Sequence, residues 1–529
     1  MPHPCTTPCP DTCIPPNVTA QRTLDCFTRR FNAATQQAGY HGGPHKTNGD
    51  EHYTDHCASY SKGILQDSAG KVNEAAFAQF TTACASGSFA DFENLILGGP
   101  RTENGPMGSY AYAFMGADGS QFGDHVVAPP PKLDSAHYAT ELIELYWCSL
   151  LRDVAFSDYA TNPIAQAAAA ELTTSAHYAG PKDAGAVTPA LLFRGIFAGE
   201  DLGPYTSQLF LRPTNFGAAP FPQLYTTYLP NIDYMTDLTS WYAIQQGAAP
   251  TSTNQKDPTL RYLHNGRGFA AYTHVDELYQ AYFTAYLVLN SIKGSANPGN
   301  PYFHSTKQNG FGTFAGPDIA SVLAQVAKLA LNSVWYQKWA VHLRHRPEAG
   351  AGLVHLIQTH TDTFDGTPHG SVFSSQALAQ SFAKYSTYLL SQPFPEGSPT
   401  HPAYPTGHGA VGGACITILK FFFNGDLVLD NPVIPSSDGT QLIPWNGDPA
   451  TGKPGALTVN GELHKLAHNI TFGHGLHGGI HWRSDSDASM LLGEAVALQF
   501  LKDLACSYAE PFKITITKLD GHSHTITNQ

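Results

Sequence analysis

The sequence predicts an all-α protein built of helical bundles, preceded by a loop-rich N-terminal region. Long segments such as ATELIELYWCSLLRDVAF (139–156) and VDELYQAYFTAYLVLNSI (275–292) carry apolar residues three and four positions apart, the spacing of a helix face. Further segments begin and end with residues that are typical of helix termini, so they are also predicted to be helices. The chain has 529 residues, of which 42% are hydrophobic, so it can bury a substantial core.

The first 130 residues are rich in Gly, Pro and short polar clusters, which is typical of loops between short helices. We therefore expect a loop-rich N-terminal region over residues 1–130 that packs on the core. The helical patterns that follow predict a helical-bundle catalytic domain over residues 131–529.

The clearest helix begins at Gly316-Pro317-Asp318 and is expected to run to Pro347, which stops it. The segment 409–423 starts with small residues and continues as a strongly apolar helix, which we expect to be buried. Residues 424–457 contain several turn signals and predict a loop or hairpin. Another helix is expected to begin near Asn460.

The net charge of −13 argues against DNA or an acidic membrane surface as a partner. No stretch of 18 apolar residues and no apolar signal-peptide core are present, so we expect a soluble protein without a visible export signal. The nine cysteines are odd in number, and Cys5, Cys9 and Cys13 lie in a proline-rich tail that predicts a loose or cross-linked end. These features leave the compartment unassigned.

Two sequence segments could each contribute to an anion site at a helix terminus. KWAVHLRHRP places Lys338 and Arg346 eight residues apart near an expected helix C-terminus; taken alone, the pair fits two solvated cations. HPAYPTGHGAVGGA places Gly407 at a helix start, where free N–H groups can hold an anion, although Thr406 could simply cap the helix. Each segment on its own therefore has a structural explanation as well as a functional one.

A third segment, GHGLHGGIHWRSD (473–485), is rich in histidine and glycine. Its His481 and Asp485 are four residues apart, so on a helix the carboxylate could orient the imidazole and raise its basicity. A histidine held in this way is suited to be a metal ligand or a nucleophile.

Together the three segments resemble the signature shared by vanadium-dependent haloperoxidases and the type 2 phosphatidic acid phosphatases. The eight-residue step from Lys338 to Arg346 is similar to the algal and bacterial bromoperoxidase branch. Segments such as VWYQKWAVHLRHRPE and FPEGSPTHPAYPTGHGAVGGACITILK extend the resemblance over about residues 139–500. It implies the helical-bundle fold of that family and a homo-oligomer, either a dimer or a larger assembly.

The resemblance also implies a cofactor and a reaction. Vanadate would be bound, and hydrogen peroxide would oxidise bromide or iodide to a hypohalous species that halogenates small organic substrates. His408 would be the acid–base group, His401 and Trp335 would line the halide pocket, and Asp485 would orient the vanadium ligand, His481. The other groups implied to bind vanadate oxygens are Lys338, Arg346, Thr406 and the Gly407 N–H.

The sequence departs from the family pattern at two positions. Thr406 replaces a serine, which keeps the hydroxyl donor and adds a methyl group. The family arginine six residues before the metal-binding histidine is replaced by Gly475. Alignment from the other side puts His474 in its place, with one inserted residue that a π-bulge could absorb. Unless His474 is protonated, losing a charge-assisted hydrogen bond should weaken vanadate binding about ten- to a hundredfold.

Two alternative functions remain open from the sequence. His474, His477 and His481 would share one face of a regular helix and, with His408 or His401, could bind iron, copper or zinc directly. An acid phosphatase would instead use His481 as nucleophile and His408 as general acid. An inactive relative that serves in assembly or binding is the third possibility.

Overall fold

The computed structural model describes residues 16–67, 69–447 and 455–528, so Cys5, Cys9 and Cys13 lie outside the described residues. The described chain is mostly helical, which confirms the predicted class. Its helices are α1 (Pro16–Ala38), α2 (Glu74–Ser86), α3 (Phe89–Glu93), α4 (Ala136–Leu151), α5 (Pro163–Thr174), α6 (Leu238–Gln245), α7 (Gly266–Val275), α8 (Gln280–Ser291), α9 (Gly316–Tyr336), α10 (Pro347–Gln358), α11 (Gln376–Tyr385), α12 (Gly407–Phe422), α13 (Val459–Phe472) and α14 (Arg483–Ala505).

Within the described ranges, three short antiparallel hairpins accompany the helices. They are β1–β2 (Thr214–Phe216 and Ala219–Phe221), β3–β4 (Val433–Pro435 and Leu442–Pro444) and β5–β6 (Lys513–Thr517 and Ser523–Thr527). The β3–β4 hairpin confirms the prediction for residues 424–457, of which 448–454 lie outside the described residues. In β5–β6, alternate isoleucines are buried, which fixes the hairpin against the helical core.

Helix α12 lies at the centre of the helical core and is buried along its whole length, as predicted. It packs against α9, α13 and α14. Glycines allow the closest approach: a Cβ at Gly413 would lie 2.1 Å from the Met490 carbonyl oxygen, and one at Gly493 would lie 2.1 Å from that of Ala410. Because these contacts involve backbone atoms of α14 and α12, any side chain at either glycine would separate the two helices.

The long helix expected to run from Gly316 to Pro347 is interrupted, so that prediction was wrong. Helix α9 ends at Tyr336, a π-helical segment occupies Gln337–His342, and Leu343 has a left-handed backbone with φ of 50°. Pro347 is the first residue of α10 rather than a stop signal, because proline is well suited to a first helical turn.

Other helix predictions were correct in type, with shifted bounds. The segment 139–156 corresponds to α4, which begins at Ala136 because the Ser135 side chain accepts a hydrogen bond from the Tyr138 N–H. The segment 275–292 is divided between the end of α7 and α8. Helix α13 begins at Val459, as expected from the sequence.

The N-terminal region packs on the helical core through a second, smaller cluster of buried side chains. Phe80 and Phe92 meet the ring of Trp339, which follows α9. We propose that residue 130 marks the boundary between this N-terminal region and the helical-bundle domain. None of the described helices is long and apolar enough to span a bilayer.

Candidate functional site

Arg346 joins two of the histidines singled out in the sequence. It is buried at the start of α10, and its Nη1 lies 2.8 Å from His481 Nε2. Its Nη2 lies 2.9 Å from His401 Nδ1, and its Nε donates to the His401 carbonyl oxygen at 3.0 Å. Arg346 and His481 therefore meet in one pocket, although they are 135 positions apart in the sequence.

Lys338 supplies a second buried positive charge to this pocket. Its Nζ donates to the carbonyl oxygens of Pro402 and Ala403 at 2.9 and 2.6 Å. Burial, followed by the nearby charge of Arg346, holds the pKa of Lys338 well below its ordinary value. Neither cation is solvated, so the alternative explanation of two solvated cations at a helix end does not apply.

His481 is oriented by Asp485, as predicted, although not on a shared helix. Gly479 has φ of 69° and turns the chain before His481, while α14 begins only at Arg483. Asp485, in the first turn of α14, reaches back so that its Oδ2 lies 2.9 Å from His481 Nδ1. Nδ1 therefore donates to the carboxylate, and Nε2 keeps the lone pair that a metal or a hydrogen-bond donor can use.

Burial, followed by the charges of Arg346 and Lys338, holds the pKa of His481 well below its ordinary value, so the ring is neutral. Asp485 is fixed in turn by Arg344, whose Nη1 lies 2.7 Å from Oδ1. Arg344 was not among the residues predicted from the sequence. Its position in HLRHRP, two residues before Arg346, is the sequence feature that could have indicated it.

The start of α12 forms another wall of the pocket. Thr406 occupies the N-cap position, yet its side chain makes no capping bond and its buried Oγ1 has no partner among the described residues. The first N–H groups of a helix also lack helical partners. The explanation of Thr406 as a plain helix cap is therefore wrong, and this helix start offers unused hydrogen-bond donors.

His474 lies next to the predicted acid–base residue. Its ring stacks on that of His408 with centroids 3.8 Å apart and lies 5.5 Å from the His481 ring, while its buried Nδ1 has no partner among the described residues. Residues Gly473–His477 form a π-helical segment at the place where the sequence led us to expect a π-bulge. Burial, followed by His408 and His481, holds the pKa of His474 well below its ordinary value, so it carries no positive charge.

His408 has an acidic partner that the sequence reasoning missed. Its Nε2 lies 3.0 Å from Oδ1 of Asp276, which directly follows α7. The carboxylate is 132 residues away in the sequence, and its only local signal was an acidic residue at a helix end in THVDEL.

His401 and Trp335 line one side of the pocket together. Their ring centroids lie 4.8 Å apart, and Trp335 Nε1 donates to the carbonyl oxygen of Asn104 at 3.2 Å. The N-terminal region thus helps to position this tryptophan. The pairing of the two side chains agrees with their expected place in a common pocket.

Comparisons with known proteins show which family this chain is similar to. The family model described as VCPO second helical-bundle domain matches residues 321–508. A vanadium-dependent bromoperoxidase of Ascophyllum nodosum is 33% identical over 523 residues, covering 94% of this chain and 90% of that protein. The chain belongs to the vanadium-dependent haloperoxidase family. A vanadium-dependent bromoperoxidase of Corallina officinalis is 29% identical over 563 residues, covering 90% of this haloperoxidase and 92% of that protein.

A solved structure extends the similarity to the whole fold. The homohexameric second vanadate-dependent bromoperoxidase of Ascophyllum nodosum matches with a TM-score of 0.88 at 28% identity, covering 99% of this chain and 94% of that chain. This chain is therefore an enzyme of the haloperoxidase type, and its relatives imply vanadate as the cofactor.

One predicted site residue of this haloperoxidase lies outside the pocket. His477 Nε2 lies 2.9 Å from the Tyr205 hydroxyl, and its Nδ1 lies 3.1 Å from Cys148 Sγ. The π-helical segment and the turn after it place His477 on a different side from His474 and His481. No group of three or more His, Cys, Asp or Glu side chains in the described ranges could hold a metal ion, so the iron, copper or zinc alternative is not supported.

The haloperoxidase pocket is supported from behind by a buried ion pair that the sequence reasoning also missed. Lys62 Nζ contacts Glu348 Oε1, and the two side chains are 1% and 0% exposed. Lys62 also donates to the carbonyl oxygens of Glu396 and Ser398 at 2.8 and 2.9 Å. Because Glu348 lies two residues after Arg346, this pair connects the N-terminal region, α10 and the segment that leads to His401.

Replacement of Lys62 by methionine is expected to lower the free energy of unfolding by about 3–5 kcal/mol, because it leaves the Glu348 carboxylate buried without its cation. Urea denaturation measures the change. Lys46→Met is the matched control: Lys46 pairs with Asp124 but is 63% exposed, so we expect a loss below about 1 kcal/mol. Equal effects of the two substitutions would contradict a structural role for the buried pair.

Proposed function

We propose that this protein is a vanadate-dependent haloperoxidase that uses hydrogen peroxide to oxidise bromide or iodide, with the hypohalous product halogenating small organic substrates. One observation carries the proposal above the rest: Asp485 presents an unprotonated His481 Nε2 to a pocket that also contains two buried cations. This combination suits an oxyanion whose central metal accepts one nitrogen ligand.

The polar atoms of the pocket fit vanadate. Thr406 Oγ1 and His474 Nδ1 are buried without partners among the described residues, an arrangement that is costly unless a ligand uses them. Lys338 and Arg346 provide charge for the oxyanion, and the same charges would repel a dication. The donor set therefore favours vanadate over a directly bound divalent metal.

Each group has a proposed role. His481 Nε2 would bind vanadium, while Lys338, Arg346, Thr406 and the Gly407 N–H would hold the oxygens. Bound vanadate would supply the Lewis acidity that activates peroxide towards attack by halide. The protein contributes positive charge and fixed hydrogen-bond donors. It also excludes water, which strengthens the electrostatic interactions and the hydrogen bonds.

His408 would move the proton that peroxide chemistry requires. Its Nε2 donates to Asp276, which leaves Nδ1 as the atom that takes up and releases a proton. The carboxylate fixes the tautomer, so His408 can take up a proton at Nδ1 as a base and then return it as an acid. The adjacent Trp335 and His401 rings would line the halide pocket, and the resemblance to bromoperoxidases favours bromide over chloride.

The decisive experiment combines vanadium content with two activity assays. After incubation with vanadate and desalting, we expect stoichiometric vanadium by elemental analysis and bromination of an activated diketone with peroxide and bromide. Hydrolysis of a chromogenic phosphate ester without bromination would support the phosphatase alternative. Stoichiometric iron, copper or zinc that vanadate cannot displace would contradict the proposal.

Replacement of His474 by arginine is expected to raise vanadate affinity about ten- to a hundredfold, because it restores a charged donor where the present imidazole is neutral. Equilibrium dialysis with elemental analysis measures the dissociation constant. His474→Gln is the matched neutral control and should bring no such gain. An unchanged or weaker affinity in His474→Arg would show that His474 does not occupy the position of the family arginine.

We also propose that the protein forms a homo-oligomer. The solved relative from Ascophyllum nodosum is homohexameric, and its match covers 99% of this chain. Light scattering coupled to size-exclusion chromatography would test this, and a monomeric protein at micromolar concentration would contradict it.

A further inference from the structure

Helix α1 projects from the rest of the protein. Among residues 19–38, only Gln37 is buried and only Ala33 is partly buried. Arg29 donates to the Cys506 carbonyl oxygen at 2.6 Å, and Gln37 donates to that of Gln499 at 3.1 Å. A cavity of about 1070 Å³ lies between the helix and the end of α14. A helix of 23 residues is thus attached by a few polar contacts.

The exposed side of α1 carries an apolar stripe. Leu24, Phe27 and Phe31 are 58%, 66% and 62% exposed and follow one another at three- and four-residue steps. The rings of Phe27 and Phe31 are stacked with centroids 6.3 Å apart. Ala20 extends the stripe towards the N-terminus, and Ala34 and Ala38 continue it to the edge of the cavity that they also line.

This spacing is that of the contact positions in a pair of packed helices. A single helix in water is marginally stable, and a row of exposed large apolar side chains marks a surface that another molecule covers. Packing of the stripe against a partner would remove this apolar surface from water and order α1 at the same time.

The charges of α1 identify the kind of partner. The positions that flank the stripe are neutral except for Arg30: they are Gln21, Thr23, Thr28, Thr35 and Gln37. Arg22, Asp25 and Arg29 lie away from it. A stripe with neutral polar borders is suited to an identical helix, because two copies meet without facing like charges along both borders. An acidic or basic partner would find little charge to recognise beside the stripe.

We propose that the α1 stripe of Leu24, Phe27 and Phe31 packs against the α1 stripe of a second copy of this chain. Such a contact uses the same surface on both copies and is therefore closed by a two-fold axis. The inference rests on the homo-oligomer proposed above and assigns one of its interfaces.

The test is a double substitution, Phe27→Asp with Phe31→Asp, in the full chain. Both side chains are exposed in the single chain and lie outside the catalytic pocket, so folding and activity per chain should be retained. Native mass spectrometry and sedimentation should show loss of one association step, with its dissociation constant raised about thirtyfold or more, as expected for two aromatic anchors. Trypsin should also cleave after Arg22, Arg29 and Arg30 faster than in the wild type.

The matched control is Phe114→Asp with Phe311→Asp, because these phenylalanines are 100% and 76% exposed and lie outside α1. The control should keep the wild-type mass. A wild-type protein that is monomeric would overturn both the homo-oligomer and this interface. A wild-type oligomer whose mass is unchanged in the α1 variant, or reduced equally in the control, would overturn the interface alone.

Discussion

Replacement of His481 by alanine is expected to reduce bound vanadium from stoichiometric to background levels and to abolish bromide oxidation. The His481 imidazole presents its unprotonated Nε2 beside Arg346, and the Asp485 carboxylate orients the ring from 2.9 Å. Asp485→Asn keeps the ligand but weakens its orientation, so we expect vanadate affinity to fall about 10- to 100-fold. Elemental analysis of desalted protein after vanadate incubation measures both effects.

His477→Gln provides a matched control for this substitution. His477 lies four residues before His481, and both of its ring nitrogens make hydrogen bonds outside the pocket, with Tyr205 and Cys148. Glutamine can replace those bonds, so this variant should keep its vanadium. Vanadium that remains stoichiometric in His481→Ala, or is lost equally in His477→Gln, would contradict the proposed ligand.

Replacement of His408 by alanine is expected to lower kcat for bromide oxidation about 10²- to 10⁴-fold, the usual contribution of a positioned general acid–base group. The physical reason is the Asp276–His408 contact of 3.0 Å, which fixes the tautomer of a ring placed beside the vanadate pocket. Steady-state kinetics should be expressed per bound vanadium, so that lost catalysis is separated from lost cofactor.

Asp276→Asn tests how much of this effect depends on the carboxylate. The variant keeps the His408 ring but replaces the carboxylate that fixes its tautomer with a neutral amide, so we expect a smaller loss of kcat than in His408→Ala. Unchanged kcat per vanadium in His408→Ala would exclude His408 as the proton-transfer group. A full loss in Asp276→Asn with intact His408 would indicate that the carboxylate itself carries the proton.

Local sequence patterns predicted the helical elements well, but they did not predict the end of α9. Periodic apolar residues predicted α4, α8, α9 and α12, because apolar residues three and four positions apart form the buried face of a helix. The end of α9 was missed since a π-helical turn and the left-handed Leu343 carry no strong local signal. Tertiary packing selects these conformations. They place Lys338 in the π-helical segment and Arg346 at the start of α10, so that the two side chains enter the pocket from different elements.

The sequence by itself determined the fold class, the family and most of the residues that meet in the candidate site, because the spacing of cations, small residues and histidines is a local property. It also predicted a π-bulge near His474, where the structure has a π-helical segment. Only the tertiary structure decided that His477 faces away, that His408 pairs with Asp276, and that Lys62 and Glu348 support the pocket. These contacts join residues far apart in the chain, whose distances depend on how whole helices pack rather than on any local pattern.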